Sequence, residues 1–397
     1  RLGQPAVVGE IAAGLLLGPT VAHGAVASAL FPTATRPLLA GFADLGVALL
    51  MFAVGLEFEP GVARGPNRGI LSTAVGSLAL PLAAGAVLGL LWRPGGSATS
   101  QAGYVLFMAV AMSVTAFPVL VRILEDRELI RTPLGRFTVT SAAACDVVGW
   151  LLLALAIFLA AGGHALARLA GLPVFVLVLF TVVRPLFRRL AARGHSGEAD
   201  LVLVVGGVLG SCAATEWMGL HFIFGAFLFG MAVAGSGGPS WAAGLHRDIE
   251  PVGVRLLMPV YFVVAGWQVN LPGLSARDWL VAAAVTATAV AAKFTGSFAG
   301  ARLGGLDARQ SCAVGVLMNT RGLTELVVLT TGRQLGLLDG RHYTILVVMA
   351  LVTTAVTGPA LTRVAGRTTT AAVWHRIRPA REPNSAVDLA PQPGTTA

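Results

Sequence analysis

The sequence has few charged residues, few cysteines and a single lysine. Charged residues make up 12% of the 397 positions, whereas a typical soluble domain carries roughly a quarter. Hydrophobic residues make up 55% of the chain, and the mean hydropathy is +0.78. This composition excludes an ordinary soluble domain and indicates a membrane protein.

The three cysteines, Cys145, Cys212 and Cys312, all fall inside apolar segments. Their spacing matches neither a CxxC pair nor a set of metal ligands, so neither disulfides nor a zinc site is expected. No cofactor is expected either. The three side chains are interpreted as small buried residues.

Apolar segments of about 20 residues, the length that crosses a hydrocarbon core of ~30 Å, recur along nearly the whole chain. We predict an all-α polytopic membrane protein in which residues 1–365 form one transmembrane domain. Residues 366–397 turn basic and then rich in Pro, Thr and Ala, which predicts a disordered tail. The twelve predicted spans are 6–30, 38–56, 69–92, 103–124, 136–161, 171–190, 200–215, 218–234, 253–271, 278–303, 311–332 and 342–365.

The basic residues are distributed unequally between the two sides of these spans. Of the 28, 20 fall on one side and 6 on the other, and Lys293 and Arg321 lie within spans. The positive-inside rule places both ends of the chain in the cytoplasm of a multi-pass plasma-membrane protein. The positive-inside rule thereby accounts for the formal charge of +9. A nucleic-acid partner is not expected.

Two predicted spans are interrupted by residues that disfavour a continuous helix. The fourth contains MSVTAFPVLV (112–121), and the eleventh contains VLMNTRGLTELVVL (316–329). Pro removes a backbone donor and Gly loosens a helix, so both are candidates for unwound backbone at membrane depth. For the first, a simple proline kink is the alternative. Because seven crossings separate the two, we predict an inverted repeat of spans three to five and ten to twelve.

Asp146 lies near the middle of the fifth predicted span, in TSAAACDVVGW (140–150). An ionised carboxylate there costs about 2.5–3.5 kcal/mol on insertion scales, so it must face a cavity, find a partner or carry a proton. The alternative is an aspartate satisfied by hydrogen bonds between helices. Thr115 and carbonyls freed by the neighbouring break would supply neutral oxygen ligands for Na⁺ or K⁺.

Lys293 is the only lysine beside 27 arginines, and it falls within the tenth predicted span. A buried lysine can lose its proton, whereas arginine stays charged. We interpret Lys293 as functional, and a lysine that snorkels to the membrane surface is the alternative.

Five further ionisable residues near or within the spans have weaker interpretations. Arg321 and Glu325 are spaced i and i+4, which favours a structural ion pair that positions the second break. Glu216 and His221 flank the turn between spans seven and eight and are interpreted as interfacial. Asp44 falls near a span end, where charge is tolerated.

Seven ordered segments resemble the monovalent cation:proton antiporter-2 family of Na⁺/H⁺ and K⁺/H⁺ exchangers. They include PAVVGEIAAGLLLGPT, FADLGVALLMFAVGLEFE, SVTAFPVLVRILEDRELIRTPLGR, AAACDVVGW and MNTRGLTELVVL. The resemblance implies a homodimeric transporter, rather than an enzyme, with a core domain that moves against a dimerisation domain. It matches Cys145 and Asp146 to the ion- and proton-binding pair, with Asp146 as the carboxylate that carries ion and proton. It matches Lys293 to a charge-compensating lysine and Thr115 to the ion-binding position of the unwound helix. It also matches Arg321 and Glu325 to an RGxxE pattern.

Two departures from that family change the expectation. Many members carry two acidic or amide–acid residues where this chain has Cys145 and Asp146, so the first carboxylate is absent. Lys293 must then pair elsewhere or be neutral, and we hypothesise electroneutral exchange of one cation for one proton. The chain also starts almost directly on a span, which suggests that an amino-terminal helix of longer members is missing.

Three functions remain open at this level. The first is a secondary antiporter in which Na⁺ or K⁺ competes with H⁺ for Asp146. The second is a channel-like K⁺ efflux pathway, and the third is a non-transporting membrane sensor on the same scaffold. Retention of Asp146 and Lys293 inside spans favours the first, because a scaffold does not need ionisable groups in lipid.

Overall fold

The computed structural model describes residues 6–18, 25–32, 34–56, 68–93, 100–160, 171–192, 198–234, 236 and 239–365. Helices account for the regular structure within these ranges, as the apolar segments predict. They are α1 (Ala6–Leu16), α2 (Ala25–Leu30), α3 (Arg36–Leu56), α4 (Arg68–Leu91), α5 (Gln101–Ser113), α6 (Phe117–Asp126), α7 (Pro133–Ala160), α8 (Gly171–Val178), α9 (Arg184–Ala191), α10 (Glu198–Trp217), α11 (Phe222–Val233), α12 (Pro239–Glu250), α13 (Met258–Gly266), α14 (Ala276–Leu303), α15 (Ala308–Leu317), α16 (Leu323–Gln334) and α17 (Gly340–Ala365).

Eight continuous helical stretches in the described ranges are long and apolar enough to cross a membrane. Two of them join shorter helices through π-helical segments: Leu179–Val183 links α8 to α9, and Pro251–Leu257 links α12 to α13. The fourth and eleventh predicted spans are each divided into two half-helices, α5 with α6 and α15 with α16. The total of twelve spans stays a prediction, and the predicted disordered tail lies outside the described residues.

The helices form two adjoining groups. In one group α4 packs against α14, α5 and α7, while α15 and α17 pack against α14. In the other, α3 packs against α11 and α13, α10 against α11, and α1 against α13. Each half of the predicted repeat therefore has the same element order: a long helix, two half-helices and a second long helix.

Glycines allow α4 and α14 to approach closely. A Cβ atom added at Gly296 would lie 2.0 Å from the carbonyl oxygen of Gly76, which no side chain tolerates. Ser72 adds a hydrogen bond across the same interface, from Oγ to the Gly300 oxygen at 2.7 Å. Small residues at helix contacts are the usual means of tight packing in membranes. This contact brings Lys293, on α14, against α4 and the end of α5.

Candidate functional site

The first helix break lies between α5 and α6. Helix α5 ends at Ser113, Val114 has φ −59° and ψ 139°, and Ala116 has φ −81° and ψ 88°. These ψ angles are not helical. Helix α6 restarts with Pro118 in its first turn, where the missing N–H of proline has no intrahelical partner to lose. The TAFP sequence thus produces an unwound segment rather than a simple kink.

The second break separates α15 from α16. It comprises Met318 to Gly322, and Gly322 has φ +149° and ψ −120°. This backbone region is essentially restricted to glycine. Gly322 thereby lets the chain turn from the unwound segment into α16.

The two unwound segments meet. The backbone N–H of Ala116 donates to the carbonyl oxygen of Thr320 at 2.9 Å. The Thr115 hydroxyl donates to the Met318 oxygen, and the Thr324 hydroxyl donates to the Thr115 oxygen, both at 3.5 Å. Each segment therefore satisfies part of the backbone that the other exposes, as burial in an apolar interior requires.

Arg321 holds the C-terminal end of α5. Its Nη1 donates to the Ala111 oxygen at 2.9 Å, and its Nη2 donates to the Met112 oxygen at 2.5 Å. The last carbonyls of a helix lack intrahelical partners and carry partial negative charge, so a cation there is stabilised. Nη1 also lies 2.8 Å from Glu325 Oε1, and both side chains are fully buried. The pair joins the unwound segment to the first turn of α16.

Lys293 contacts the same end of α5 from another direction. Its Nζ donates to the carbonyl oxygen of Ser77 on α4 at 3.1 Å and to that of Ser113, the last residue of α5. The side chain is fully buried, so it does not reach the membrane surface. Lys293 is also close enough to Cys145 and Asp146 to interact with them electrostatically. Both of these hydrogen bonds go to backbone carbonyls.

Asp146 lies on α7 and borders a small cavity. The side chain is 7% exposed. The cavity has a volume of about 10 Å³, close to the roughly 10–15 Å³ that one water molecule needs. It is lined by Val114, Cys145, Asp146, Gly149, Trp150 and Val328.

The structure brings together some of the sequence-predicted site residues and separates another. Cys145 lines the cavity with Asp146, and its Sγ lies 3.6 Å from the Ala74 oxygen. Thr115 is fully buried at the crossing of the two breaks and is absent from the cavity lining, where Val114 is found instead. Thr115 therefore contacts the second break, while its neighbour Val114 borders the cavity.

Sequence patterns did not identify Trp150 and Val328 as parts of this cavity, because both resemble ordinary apolar span residues. Thr354 was missed as well: its hydroxyl donates to the Arg321 carbonyl oxygen at 2.6 Å, from α17. A hydroxylated residue inside an apolar span was the available signal. Threonines are too frequent in these spans for that signal to select one.

The buried carboxylate, the two buried cations and the crossed breaks form one arrangement, and its family can now be assigned. The sequence profile described as "Sodium/hydrogen exchanger, transmembrane" matches residues 1–366. The chain belongs to this family.

Two curated relatives represent the similarity. Na(+)/H(+) antiporter NhaS4 of Synechocystis sp. is 34% identical over 381 residues, which cover 92% of each chain. Cation/H(+) antiporter 20 of Arabidopsis thaliana is 36% identical over 382 residues, or 90% of this chain and 45% of the plant protein. The chain thus spans less than half the length of that plant relative.

The fold is also found in a solved structure. The sodium proton antiporter MjNhaP1 from Methanocaldococcus jannaschii superimposes with a TM-score of 0.60, covering 91% of this chain and 90% of that one. Because only 13% of the residues are identical, this likeness shows the fold alone. The predicted antiporter-like, all-helical fold is confirmed.

Proposed function

We propose that this protein exchanges Na⁺ or K⁺ for H⁺ across a membrane, with the two ions competing for the Asp146 carboxylate. The single observation that carries the proposal is the placement of this acid, 7% exposed, at a water-sized cavity beside the crossed helix breaks. The relatives described above are named as cation/H⁺ antiporters. This chain therefore combines a suitable carboxylate with a transporter fold.

Competition at one acid is sufficient to couple the two ions. A bare carboxylate is costly in a low-dielectric interior, whereas a carboxylate that has bound either a proton or a monovalent cation is neutral. Only the loaded site then crosses the barrier between the two sides of the membrane. Since cation and proton exclude each other, each crossing in one direction is matched by the other ion in return.

Exchange is electroneutral in this proposal, one cation for one proton. Cys145 stands where many antiporters carry a second acid, so Asp146 is the carboxylate that lines the cavity. Lys293 has backbone carbonyls of Ser77 and Ser113 as its hydrogen-bond acceptors. With these acceptors the lysine holds the end of α5 and need not release a proton in each cycle.

The proposed setting is a plasma membrane, with both ends of the chain cytoplasmic. The unequal distribution of arginines supports this orientation. A homodimer is the assembly that the resemblance to cation:proton antiporters implies. The transported ions are Na⁺ or K⁺ and H⁺.

The test is ion flux in proteoliposomes containing the parent chain, Asp146→Asn or Asp248→Asn. Asp248 is an exposed acid on α12 and serves as the matched control. We expect Na⁺ or K⁺ gradients to drive proton movement in the parent and in Asp248→Asn, and none in Asp146→Asn. The amide keeps the shape of the side chain but cannot alternate between proton and cation.

Three results would contradict the proposal. Coupled exchange that survives in Asp146→Asn removes the competition mechanism. A conductance independent of pH favours the channel-like pathway, and absence of flux in the parent favours the sensor. Flux that responds to membrane potential at fixed ion and pH gradients would refute electroneutrality alone.

A further inference from the structure

A second cavity lies where α16, which packs against α5 and α17 beside the first helix group, meets α3, α11 and α13 of the second. Its volume is about 30 Å³, room for roughly two water molecules. Helices α3, α11, α13 and α16 and the turn before α11 provide its walls. We call it the Asp44 chamber, after a lining that includes Asp44, His221, Tyr261, Thr330, Thr331 and Gln334.

The chamber lies toward one end of the helices. Asp44 is eight residues from Arg36, the start of α3, which is about 12 Å along a helix. Gln334 is the last residue of α16, and His221 precedes α11. Arg36 belongs to the side of the predicted spans that carries few arginines, so the chamber lies nearer the arginine-poor side.

Hydrogen bonds fix part of the chamber wall. Tyr261 Oη and Thr330 Oγ1 are 3.0 Å apart, and His221 Nε2 and Gln334 Oε1 are 2.9 Å apart. Both contacts join α16 to elements of the other helix group. They hold polar atoms around the chamber in fixed positions.

Other polar atoms in the wall have no partner among the described residues. Thr331 is 1% exposed, and its Oγ1 has no hydrogen bond there; His221 Nδ1 is in the same condition. Burying a hydroxyl without a partner costs roughly 1–3 kcal/mol. The unpaired, buried oxygen of Thr331 in this polar cavity is therefore available to a bound water or cation.

The chamber and the Asp146 cavity share one wall. Val327 lines the chamber, and the next residue, Val328, lines the Asp146 cavity. Both belong to α16, directly after its first turn. An ion in the chamber would thus be separated from the Asp146 cavity by the thickness of this helix segment.

We propose that the Asp44 chamber binds a partly dehydrated Na⁺ or K⁺ on its way between water and Asp146. Carboxylate, hydroxyl and amide oxygens are the ligands that hard cations prefer. Asp44 supplies one negative charge among neutral oxygens, which matches a monovalent cation and would leave a divalent one uncompensated. This inference rests on the exchange function proposed above.

The first test compares the two faces of the membrane in oriented vesicles. Asp44→Asn should raise the KM for the cation by about tenfold, equivalent to about 1.4 kcal/mol of binding, when the cation is supplied from the arginine-poor side. The KM from the opposite side should not change, because the cation then reaches Asp146 without passing Asp44. A merely structural role for Asp44 would alter both sides.

The matched control is Glu216→Gln. Glu216 is exposed, close enough to Asp44 to act on it electrostatically, and absent from the chamber lining. Because solvent and salt screen an exposed charge, its removal should change either KM by less than about twofold. An equal KM rise on both sides in Asp44→Asn, or no rise on either, overturns the proposal.

The second test does not require transport. Val264, which also lines the chamber, is replaced by Cys, and alkylation by a small maleimide is measured in Na⁺, K⁺ or choline, with the parent chain as background. We expect Na⁺ or K⁺ to slow alkylation, and Asp44→Asn to abolish this protection. Equal alkylation in all three salts means that the chamber holds only water and overturns the proposal. If Na⁺ or K⁺ protects the cysteine from alkylation but the chain shows no exchange, cation binding in the chamber is supported and the proposed function is contradicted.

Discussion

Lys293 and Arg321 are two buried cations that hold the same end of α5, but they differ in their partners. Arg321 donates to two carbonyls of α5 and has Glu325 at 2.8 Å. Lys293 donates to one carbonyl of α5 and one of α4. The permanently charged residue thus has a carboxylate in direct contact, whereas the residue that can lose its proton is held by neutral oxygens.

This difference shows how the protein supplies hydrogen-bond donors to unwound backbone inside the membrane. The free carbonyls at the end of α5 need donors that water cannot supply. Arg321 meets that need as part of an ion pair whose net charge is zero. Lys293 meets it from α14, through a hydrogen bond to the Ser113 oxygen beside the one to Ser77 on α4.

The largest expected effect comes from breaking the Arg321–Glu325 pair on one side. Arg321→Met leaves the Glu325 carboxylate buried and unpaired, which should cost about 3–5 kcal/mol. Thermal unfolding in detergent measures the loss. The double variant Arg321→Met with Glu325→Met should recover part of it, because no charge stays buried. A double variant as unstable as the single one would show that the carbonyl contacts, rather than the pair, dominate.

A smaller loss is expected for Lys293→Gln, because the two hydrogen bonds that it removes go to neutral backbone carbonyls. Losing hydrogen bonds from a charged donor should cost about 1.5–3 kcal/mol. Exchange should remain coupled and insensitive to membrane potential, because in the proposed mechanism the lysine does not carry the transported proton. Flux at imposed potentials checks this. Loss of coupling in Lys293→Gln, with the protein still folded, would assign the proton to Lys293.

The orientation of Arg321 depends on the glycine that follows it. Gly322→Ala places a Cβ at φ +149° and should cost about 1–3 kcal/mol. Gly206→Ala on α10 is the control, because its added Cβ meets nothing within 4 Å, and it should stay within about 0.5 kcal/mol of the parent. Equal melting temperatures for the two variants would mean that the backbone at Gly322 tolerates a side chain without strain.

Cys145→Asp should have a specific effect on coupling. It gives Lys293 a second nearby carboxylate besides Asp146. We expect flux to become sensitive to membrane potential, because a second acid and the lysine then add a charge to the cycle. Cys145→Asn is the neutral control and should stay insensitive. If flux is insensitive to membrane potential in both variants, the absence of the first acid is not the cause of electroneutral exchange.

Much of the fold could be predicted from the composition and from the positions of proline and glycine. The apolar runs predicted an all-helical membrane protein, and Pro118 and Gly322 marked the two breaks, because proline and glycine act on the backbone locally. The i, i+4 spacing of Arg321 and Glu325 placed them within reach even though Arg321 precedes the helix. These features depend on neighbours in the chain, so they can be read from it.

The chambers and partners could not be predicted in this way. Asp44 was interpreted as a tolerated charge near a span end and His221 as interfacial, but both line one chamber with residues of α13 and α16. That Thr115 supplies an oxygen to the ion stays a prediction, but the contact of its hydroxyl with the second break could not be predicted. These contacts join residues far apart in sequence, and no local pattern encodes them.

The sequence by itself determined that this chain is a membrane protein, where its helices break and which ionisable residues lie in the spans. The tertiary structure decided which groups those residues meet: carbonyls of α5 for Lys293 and Arg321, and a water-sized cavity for Asp146. The physical reason is that helix formation and membrane insertion depend on nearby residues and their hydropathy. Solvation of a buried charge depends on whatever atoms packing brings around it.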